Sequence, residues 1–157
     1  MDILKSNGIY NSSLETSIRL GKLLVEFFPE RISIERLIYI DFIIVNLNDF
    51  IEGEDSLHPA VPRRDTQVII KRKLVNDAID LMKSHGLIEE VYDTTGFTYL
   101  ASDKTFSFTN SIRSTYIDKL LNNIKVIKKH YGNKSDNYLE SIIRKKIGQL
   151  DVEVVIG

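Results

Sequence analysis

The side chains that most often perform chemistry in proteins are few in this sequence, and they lie far apart. The three histidines, His58, His85 and His130, include no pair at i and i+4, the spacing with which a helix binds zinc. The adjacent carboxylates Glu89 and Glu90 fall in a strand-like run, where alternation directs them to opposite faces of a sheet. There is no cysteine, and the glycines are too scattered to form a phosphate-binding loop. We therefore predict a protein that is not an enzyme, with no metal and no cofactor.

Positive charge is concentrated around the start of a long helical pattern that covers residues 66–85. Backbone N–H groups at a helix N-terminus, with arginine side chains beside them, form a natural anion site. The anion is either a phosphate or a carboxylate of a partner protein, and the sequence leaves both alternatives open. Two threonines in a nearby predicted turn join the basic residues as candidates. The predicted contacts to an anion, DNA or a partner are Arg63, Arg64, Lys71, Arg72, Lys73, Thr94 and Thr95.

The elements that must position these residues are this helix and a β-hairpin that follows it at once. The helical pattern over 66–85 stops at Gly86, and β-favouring runs within 87–101 flank a turn at 93–96. A further short strand over 105–108 is predicted to pair with the hairpin. A long helix followed directly by a hairpin is the order of a recognition helix and its wing.

The helix over 66–85 is amphipathic, but its outward side is not basic. Its outward arc mixes both signs of charge, with Lys73 and Asp77 spaced as an i,i+4 ion pair. A helix that reads the major groove usually presents Arg, Lys, Asn or Gln without so many carboxylates facing the phosphates. We therefore interpret the helix as a packing element before a DNA-reading one. At 100° per residue its inward arc holds Val68, Ile70, Leu74, Val75, Ala78, Ile79, Leu81 and Met82.

Two helices are predicted before this unit. Residues 12–15 fit a capping box that starts the first helix, and this helix ends at Pro29 and contributes to the core. Ser33 caps the second, which runs to about residue 50 and is apolar on most of its sides. Since few helices of a small protein can be wholly enclosed, we predict that part of this helix is a partner interface. Its candidate contacts are Ile38, Phe42 and Val45.

Two further helices are predicted after the hairpin, one from Asn110 or Ser111 to about 131 and one from Ser135 to 149. The segment 152–156 reads as a terminal strand that can pair with a partner, which leaves a homodimer open. Residues 111–149 carry nine basic and three acidic side chains, a net charge of +6, whereas residues 1–62 carry a net charge of −5. The positive part either docks an acidic partner or is a solvated surface. Its candidate contacts are Lys125, Lys128 and Lys129.

Length and composition predict one soluble protein of the α+β class. A chain of 157 residues can bury its own core, and 43% apolar with 27% charged residues is ordinary for a globular protein. The apolar run 37–47 is interrupted by Asp41 and is too short to span a bilayer, and the N-terminus lacks a signal-peptide pattern. We predict a cytoplasmic protein with no membrane contact and a mainly α fold with a small β-hairpin wing. It comprises a winged-helix-like domain over 1–110 and a helical C-terminal extension over 111–157 packed on it.

The loop that precedes the long helix carries a recognisable pattern. Pro59 and Pro62 stiffen it, and we interpret His58 as a loop histidine hydrogen-bonded to the backbone rather than as a general base. The motif residues are Ser56, Leu57, His58, Pro59, Pro62 and Arg63, together with segments 81–88 and 96–102. With these residues the sequence resembles the middle components of bacterial ABC-three-component defence systems, including the accessory subunit of Lamassu-type systems. The similarity covers roughly residues 14–130.

The resemblance implies a small non-catalytic subunit of an anti-phage or anti-plasmid complex. In that family a partner ATPase, similar to SMC or Rad50 proteins, senses DNA, and a separate effector, often a nuclease, delivers the damage. The middle component bridges or regulates the two, and non-specific DNA contact within the complex is compatible with this role. The alternative is a free-standing winged-helix transcriptional regulator. That alternative predicts a basic outward face on the long helix. The mixture of acidic and basic residues on this face counts against it.

Overall fold

The computed structural model describes residues 12–59 and 64–156 of the chain. Within these ranges the fold is mainly helical with one small antiparallel sheet, which confirms the predicted α+β class. The winged-helix assignment stays a prediction. The elements are α1 Ser13–Phe27, β1 Ile32–Ser33, α2 Ile34–Val45, α3 Leu47–Phe50, α4 Arg64–Ser84, β2 Glu89–Asp93, β3 Gly96–Leu100, α5 Asp103–Asn110, α6 Thr115–Tyr131 and α7 Asp136–Ile156.

Serine side chains start several of the helices, because a hydroxyl oxygen can accept a hydrogen bond from a free backbone N–H of the first turn. Ser12 accepts from the amide of Glu15 at 3.1 Å, and Ser33 accepts from the amide of Arg36 at 3.2 Å. Ser135 likewise accepts from the Tyr138 amide at 3.1 Å. The predicted starts of these three helices are confirmed.

The three-stranded sheet has the order β1-β3-β2, with all neighbours antiparallel. Asp93 pairs with Gly96 across a two-residue turn, in which the Asp93 side chain accepts from the Thr95 amide at 2.8 Å. Gly96 has a φ of 106°, a conformation that only glycine adopts without strain. The predicted hairpin over 87–101 is confirmed, but its third strand comes from β1, before α2.

Four assignments from the sequence are wrong in their type or in their bounds. Residues 105–108 are not a strand but lie in α5, where Ser102 and Thr105 form a reciprocal capping box. Residues 152–156 continue α7, so the strand predicted to pair with a partner does not form. The helix expected to start at Asn110 or Ser111 starts after Ser114. The helix predicted over 33–50 breaks at Asn46, whose side-chain amide donates to the Phe42 carbonyl at 3.0 Å.

The core is built around α2. Ile38, Phe42 and Val45 are only 1–2% exposed, because α1, α4, α6 and α7 all pack around this helix. The predicted partner interface at these three residues is therefore wrong. Helices of the chain itself supply the cover that the sequence analysis assigned to a partner.

The C-terminal helices are tied to α2 by Arg36. Its guanidinium donates to the carbonyls of Lys134 at 2.7 Å and Gly132 at 3.2 Å, and it pairs with Asp136 at 2.9 Å. The division into parts 1–110 and 111–157 stays a prediction. No helix in the described ranges combines the length and the apolar character needed to cross a membrane.

Candidate functional site

The motif loop comprises residues 56–63, of which the structure describes 56–59. Beneath this described part, polar side chains from four helices and from the loop meet in the interior. Five of the six are between 0% and 6% exposed, and the hydroxyl of the sixth, Tyr116, faces them. Such burial is rare for charged groups unless they are paired. We call this set the buried polar cluster; it consists of Glu15, Arg19, Asp41, His58, Lys71 and Tyr116.

The centre of the cluster is an ion pair between α1 and α2. The Arg19 guanidinium donates twice to the Asp41 carboxylate, at 2.7 Å from Nε and 3.1 Å from Nη2. Lys71 of α4 brings its Nζ within 2.9 Å of Asp41 Oδ2. Since one carboxylate holds cations from two other helices, Asp41 fixes the relative positions of α1, α2 and α4.

The second half of the cluster holds the motif loop. His58 Nε2 lies 2.9 Å from Glu15 Oε1 and 3.1 Å from the Tyr116 hydroxyl. Tyr116 donates a hydrogen bond to the same Glu15 oxygen, and Arg19 Nη1 lies 3.2 Å from it. An ionised carboxylate only accepts hydrogen bonds, so the proton of a neutral His58 is on Nε2. His58 is a loop histidine, as predicted, but its Nε2 contacts side chains of α1 and α6.

The charges in the cluster are balanced by their neighbours. Burial alone would raise the pKa of Asp41, but Arg19 and Lys71 outweigh it and hold the pKa of this carboxyl well below its usual range. Burial lowers the pKa of the Lys71 ammonium to about 8, although Asp41 opposes the shift. Near neutral pH both cations and the carboxylate are therefore charged.

Burial also lowers the pKa of His58 below its ordinary value. The nearby cations Arg19 and Lys71 lower this pKa further, whereas Glu15 acts to raise it. The pKa of Tyr116 is raised, first by burial, so its hydroxyl keeps its proton and donates. The side chain of His58, itself a loop residue, is thus a neutral imidazole between the Glu15 carboxylate and the Tyr116 phenol. This arrangement anchors the loop.

Backbone and side-chain hydrogen bonds fix the first half of the motif loop at further points. The His58 amide donates to the Val45 carbonyl at 3.3 Å, and Ser56 Oγ accepts from the Asn48 amide at 3.0 Å. Just before the loop, Asn123 of α6 donates to the Asp55 carbonyl at 3.1 Å. Pro62 and Arg63 lie outside the described residues.

Sequence reasoning missed most of this cluster, although a signal was present. Arg19, Asp41 and Lys71 each interrupt a run of apolar residues on the buried side of a helix. Lys71 lies at the centre of the inward arc of α4, one turn before Val75, whereas Ile70 is 48% exposed. A charge at the centre of an apolar arc predicts a buried ion pair, and three on different helices predict that they meet.

The anion contacts predicted on α4 have different surroundings in the structure. The prediction that Lys71 is a surface contact is wrong, because this residue is buried against Asp41. Arg72 forms a bidentate pair with Glu35, with Nη2 3.1 Å from Oε2. Lys73 pairs with Asp77 at 2.9 Å, as its spacing predicts. The side chain of Arg64 lies outside the described part of the chain, as does Arg63.

The predicted contacts at the hairpin turn are positioned by an acidic residue. The Asp93 carboxylate accepts from both the amide and the hydroxyl of Thr95. Beside the turn, Tyr92 and Phe97 are 73% and 53% exposed, with their ring centroids 4.9 Å apart. Thr94 and Thr95 therefore lie at the tip of an acidic and aromatic hairpin.

The predicted contacts on α6 differ in their surroundings. Lys128 donates to the Glu26 carbonyl at the end of α1, at 2.8 Å, and lies over the Phe27 ring. It thereby supplies the cation that the last turn of α1 lacks. Lys125 and Lys129 are exposed. Their role as partner contacts stays a prediction.

Comparison with known proteins places the chain in a family. The family model described as ABC-three component (ABC-3C) system Middle Component 2 matches residues 9–153. No curated protein and no solved structure matches the chain. The resemblance stated from the motif loop is thus confirmed for the middle component, while the Lamassu-type assignment stays a prediction.

Proposed function

The chain belongs to the middle component 2 family of ABC-three-component systems, and we propose that it is a non-catalytic bridging subunit. In this proposal it links an ATPase similar to SMC or Rad50 proteins to an effector nuclease in an anti-phage or anti-plasmid complex. Any DNA contact is non-specific and takes place within the assembly.

The observation that carries the proposal is the pairing or burial of the three adjacent basic side chains 71–73 on the described part of α4. Arg72 and Lys73 are paired with Glu35 and Asp77, and Lys71 is buried. A helix that reads DNA needs such cations free for phosphates and base edges. Their pairing within the chain favours a subunit that binds protein over a free-standing transcriptional regulator.

The buried polar cluster supports the same role. Its perturbed groups contact one another, and they hold the described start of the motif loop to α1 and α6. Preorganised surface loops lower the entropy cost of protein association. The cluster is therefore a means of presenting residues 56–59, the described start of the motif loop, in one conformation.

The test is co-expression of the three components of the chain's own system, with an affinity tag on the ATPase. We expect the effector to co-purify with the ATPase when this chain is present, and to be lost when it is omitted. Equal recovery of the effector without this chain would contradict the bridging role.

A parallel measurement addresses the alternative function. The purified chain is mixed with fluorescent duplex DNA at about 0.15 M salt, where counterion effects are moderate. We expect weak binding that is insensitive to sequence and declines steeply with salt. Tight sequence-specific binding by the isolated chain would support a transcriptional regulator instead.

A further inference from the structure

The hairpin of β2 and β3 exposes an aromatic pair that the interior of the chain does not use. Tyr92 is 73% exposed and Phe97 53%, and they face each other across the two strands. Exposed aromatic residues that are already packed on each other lose little entropy on binding, and tyrosine is enriched among residues that dominate binding energy. The pair therefore offers a preformed apolar anchor site.

The same hairpin is acidic throughout. Residues 85–102 contain Glu89, Glu90 and Asp93 and no lysine or arginine. Glu90 is engaged with Lys83 at 3.1 Å and with the Tyr99 hydroxyl at 2.9 Å, whereas Glu89 is exposed. Hydrogen bonds from Thr95 lower the pKa of Asp93, and the positive charge of Arg31 lowers it by a smaller amount. An acidic hairpin repels phosphate, so it is unsuited to be a DNA-binding wing.

The outer edge of β2 can also accept another strand. The sheet order places β2 at an edge, with β3 as its neighbour. Because Asp93 and Gly96 close a two-residue turn, antiparallel alternation directs the backbone N–H and C=O groups of Glu90 and Tyr92 away from β3. An extended peptide could pair with these groups by strand addition.

We propose that the β2 edge binds an extended segment of another subunit in which apolar and basic residues alternate. Its apolar side chains would cover Tyr92 and Phe97 on one face of the sheet. Its lysine or arginine side chains would face Glu89 and Asp93 on the other face, since alternate residues point to opposite faces. The inference rests on the proposed function, because the complex must supply the partner.

Charge complementarity selects this occupant over two others. A second copy of the chain would bring its own Glu89 and Asp93 against the same carboxylates, and like charges directly opposite each other destabilise a strand pair. DNA would meet the same repulsion. A basic strand instead pairs with both carboxylates.

The first test substitutes the aromatic pair while keeping residues that favour a strand. The double variant Tyr92→Thr, Phe97→Thr should weaken binding of the chain to its subunit partner by about tenfold or more. The probes are the purified ATPase and effector components of the chain's own system, each measured separately. The matched control, Ile69→Ala, removes a side chain on α4 that is also 73% exposed and should change binding by less than about twofold.

The second test reverses one charge. It distinguishes a protein partner from DNA because the substitution should change the two affinities in opposite directions. Glu89→Lys should weaken partner binding and strengthen binding to duplex DNA, whereas Glu52→Lys, at an exposed position outside the hairpin, should leave partner binding unchanged. If Glu89→Lys instead strengthens assembly in the presence of DNA, the hairpin is a DNA-binding wing and the inference is wrong.

A photo-crosslinking amino acid at position 92 then identifies the bound segment. We expect a cross-linked peptide of one component in which basic and apolar residues alternate over about five positions. A cross-link to an acidic segment, or wild-type affinity in the double aromatic variant, would overturn this inference alone. If the unmodified chain binds neither component, the proposed bridging function fails instead.

Discussion

Arg19, Asp41 and Lys71 are charged where solvent does not reach, so each depends on the other two. Replacing a buried ion pair by apolar residues is often neutral, but removing one partner leaves an uncompensated charge. The cluster is therefore evidence for a specified arrangement of helices more than for high stability. Its position under residues 56–59 makes that arrangement a condition for the conformation of this part of the motif loop.

Asp41→Asn is expected to lower the free energy of unfolding by about 3–5 kcal/mol, because it leaves two buried cations without a carboxylate. Urea unfolding followed by circular dichroism measures the change. The matched control is Glu35→Gln, which removes the carboxylate of an exposed bidentate pair and should cost less than about 1 kcal/mol. A cost for Asp41→Asn no greater than the control would contradict the account of the cluster.

His58 predicts how stability depends on pH. Its pKa is lowered in the folded chain, so the unfolded chain takes up a proton first as the pH falls through 6.5, the ordinary value. The stability linked to His58 is therefore complete above that value and declines below it, by at most about 1.4 kcal/mol per pH unit. Unfolding by urea between pH 7.5 and 5.5 should show a shallower decline in His58→Gln, whose side-chain amide can still donate to Glu15. Identical slopes in both proteins would show that His58 is not the titrating group.

For individual residues, the sequence predicted local ion pairs better than it predicted which charged side chains are buried. The Lys73–Asp77 pair follows from local spacing alone, and it was predicted. Lys71 was assigned to the surface because basic residues surround it in the chain, although its angular position on α4 points to the core. Two partners of Arg19, Asp41 and Tyr116, lie on α2 and α6, and no local pattern gives those distances.

Among the elements, the start of α7 and the turn before it are tied to α2 by contacts that Arg36 makes. Arg36→Met removes the hydrogen bonds to the turn between α6 and α7 and to Asp136. We expect amide hydrogen exchange to become faster in α7 while α1 and α4 keep their protection, as separate parts over 1–110 and 111–157 would require. Arg144→Met, which removes an exposed i,i+4 pair with Glu140, is the control. Equally faster exchange in α1 would contradict the division.

The hairpin and the helix starts at Ser12, Ser33 and Ser135 were predictable because their signals are local. A serine before a helical pattern and a turn that ends in glycine act through backbone groups a few residues away. The strand predicted at 105–108 failed because its β-favouring residues competed with the Ser102 cap, and the capping box prevailed. The pairing of β1 with β3 joins residues more than sixty positions apart, which no local signal specifies.

At the scale of the whole molecule, the remaining question is which surfaces other subunits cover. Other helices of the chain enclose α2. The sequence-based prediction of a partner interface there was wrong because the sequence does not reveal how many helices surround α2. The hairpin and the positive surface of α6 are left as candidates. They carry opposite charges, as two surfaces for two different partners would.

Lys125→Glu together with Lys129→Glu is expected to weaken assembly with the partner subunits, and to do so more at low salt than at high salt. Screening reduces what exposed charges contribute, so the difference from the unmodified chain should shrink as salt rises. Lys128 is left unchanged, since it also holds the end of α1. Pull-down yields at two ionic strengths provide the measurement, and unaltered assembly at low salt would show that this surface is solvated.

The central claim, that this middle component joins two other subunits, is tested most directly by native mass spectrometry of the purified three-component complex under gradually harsher solution conditions. We predict partial assemblies in which this chain is bound to the ATPase alone or to the effector alone. A partial assembly of ATPase and effector that persists after this chain has dissociated would contradict the claim.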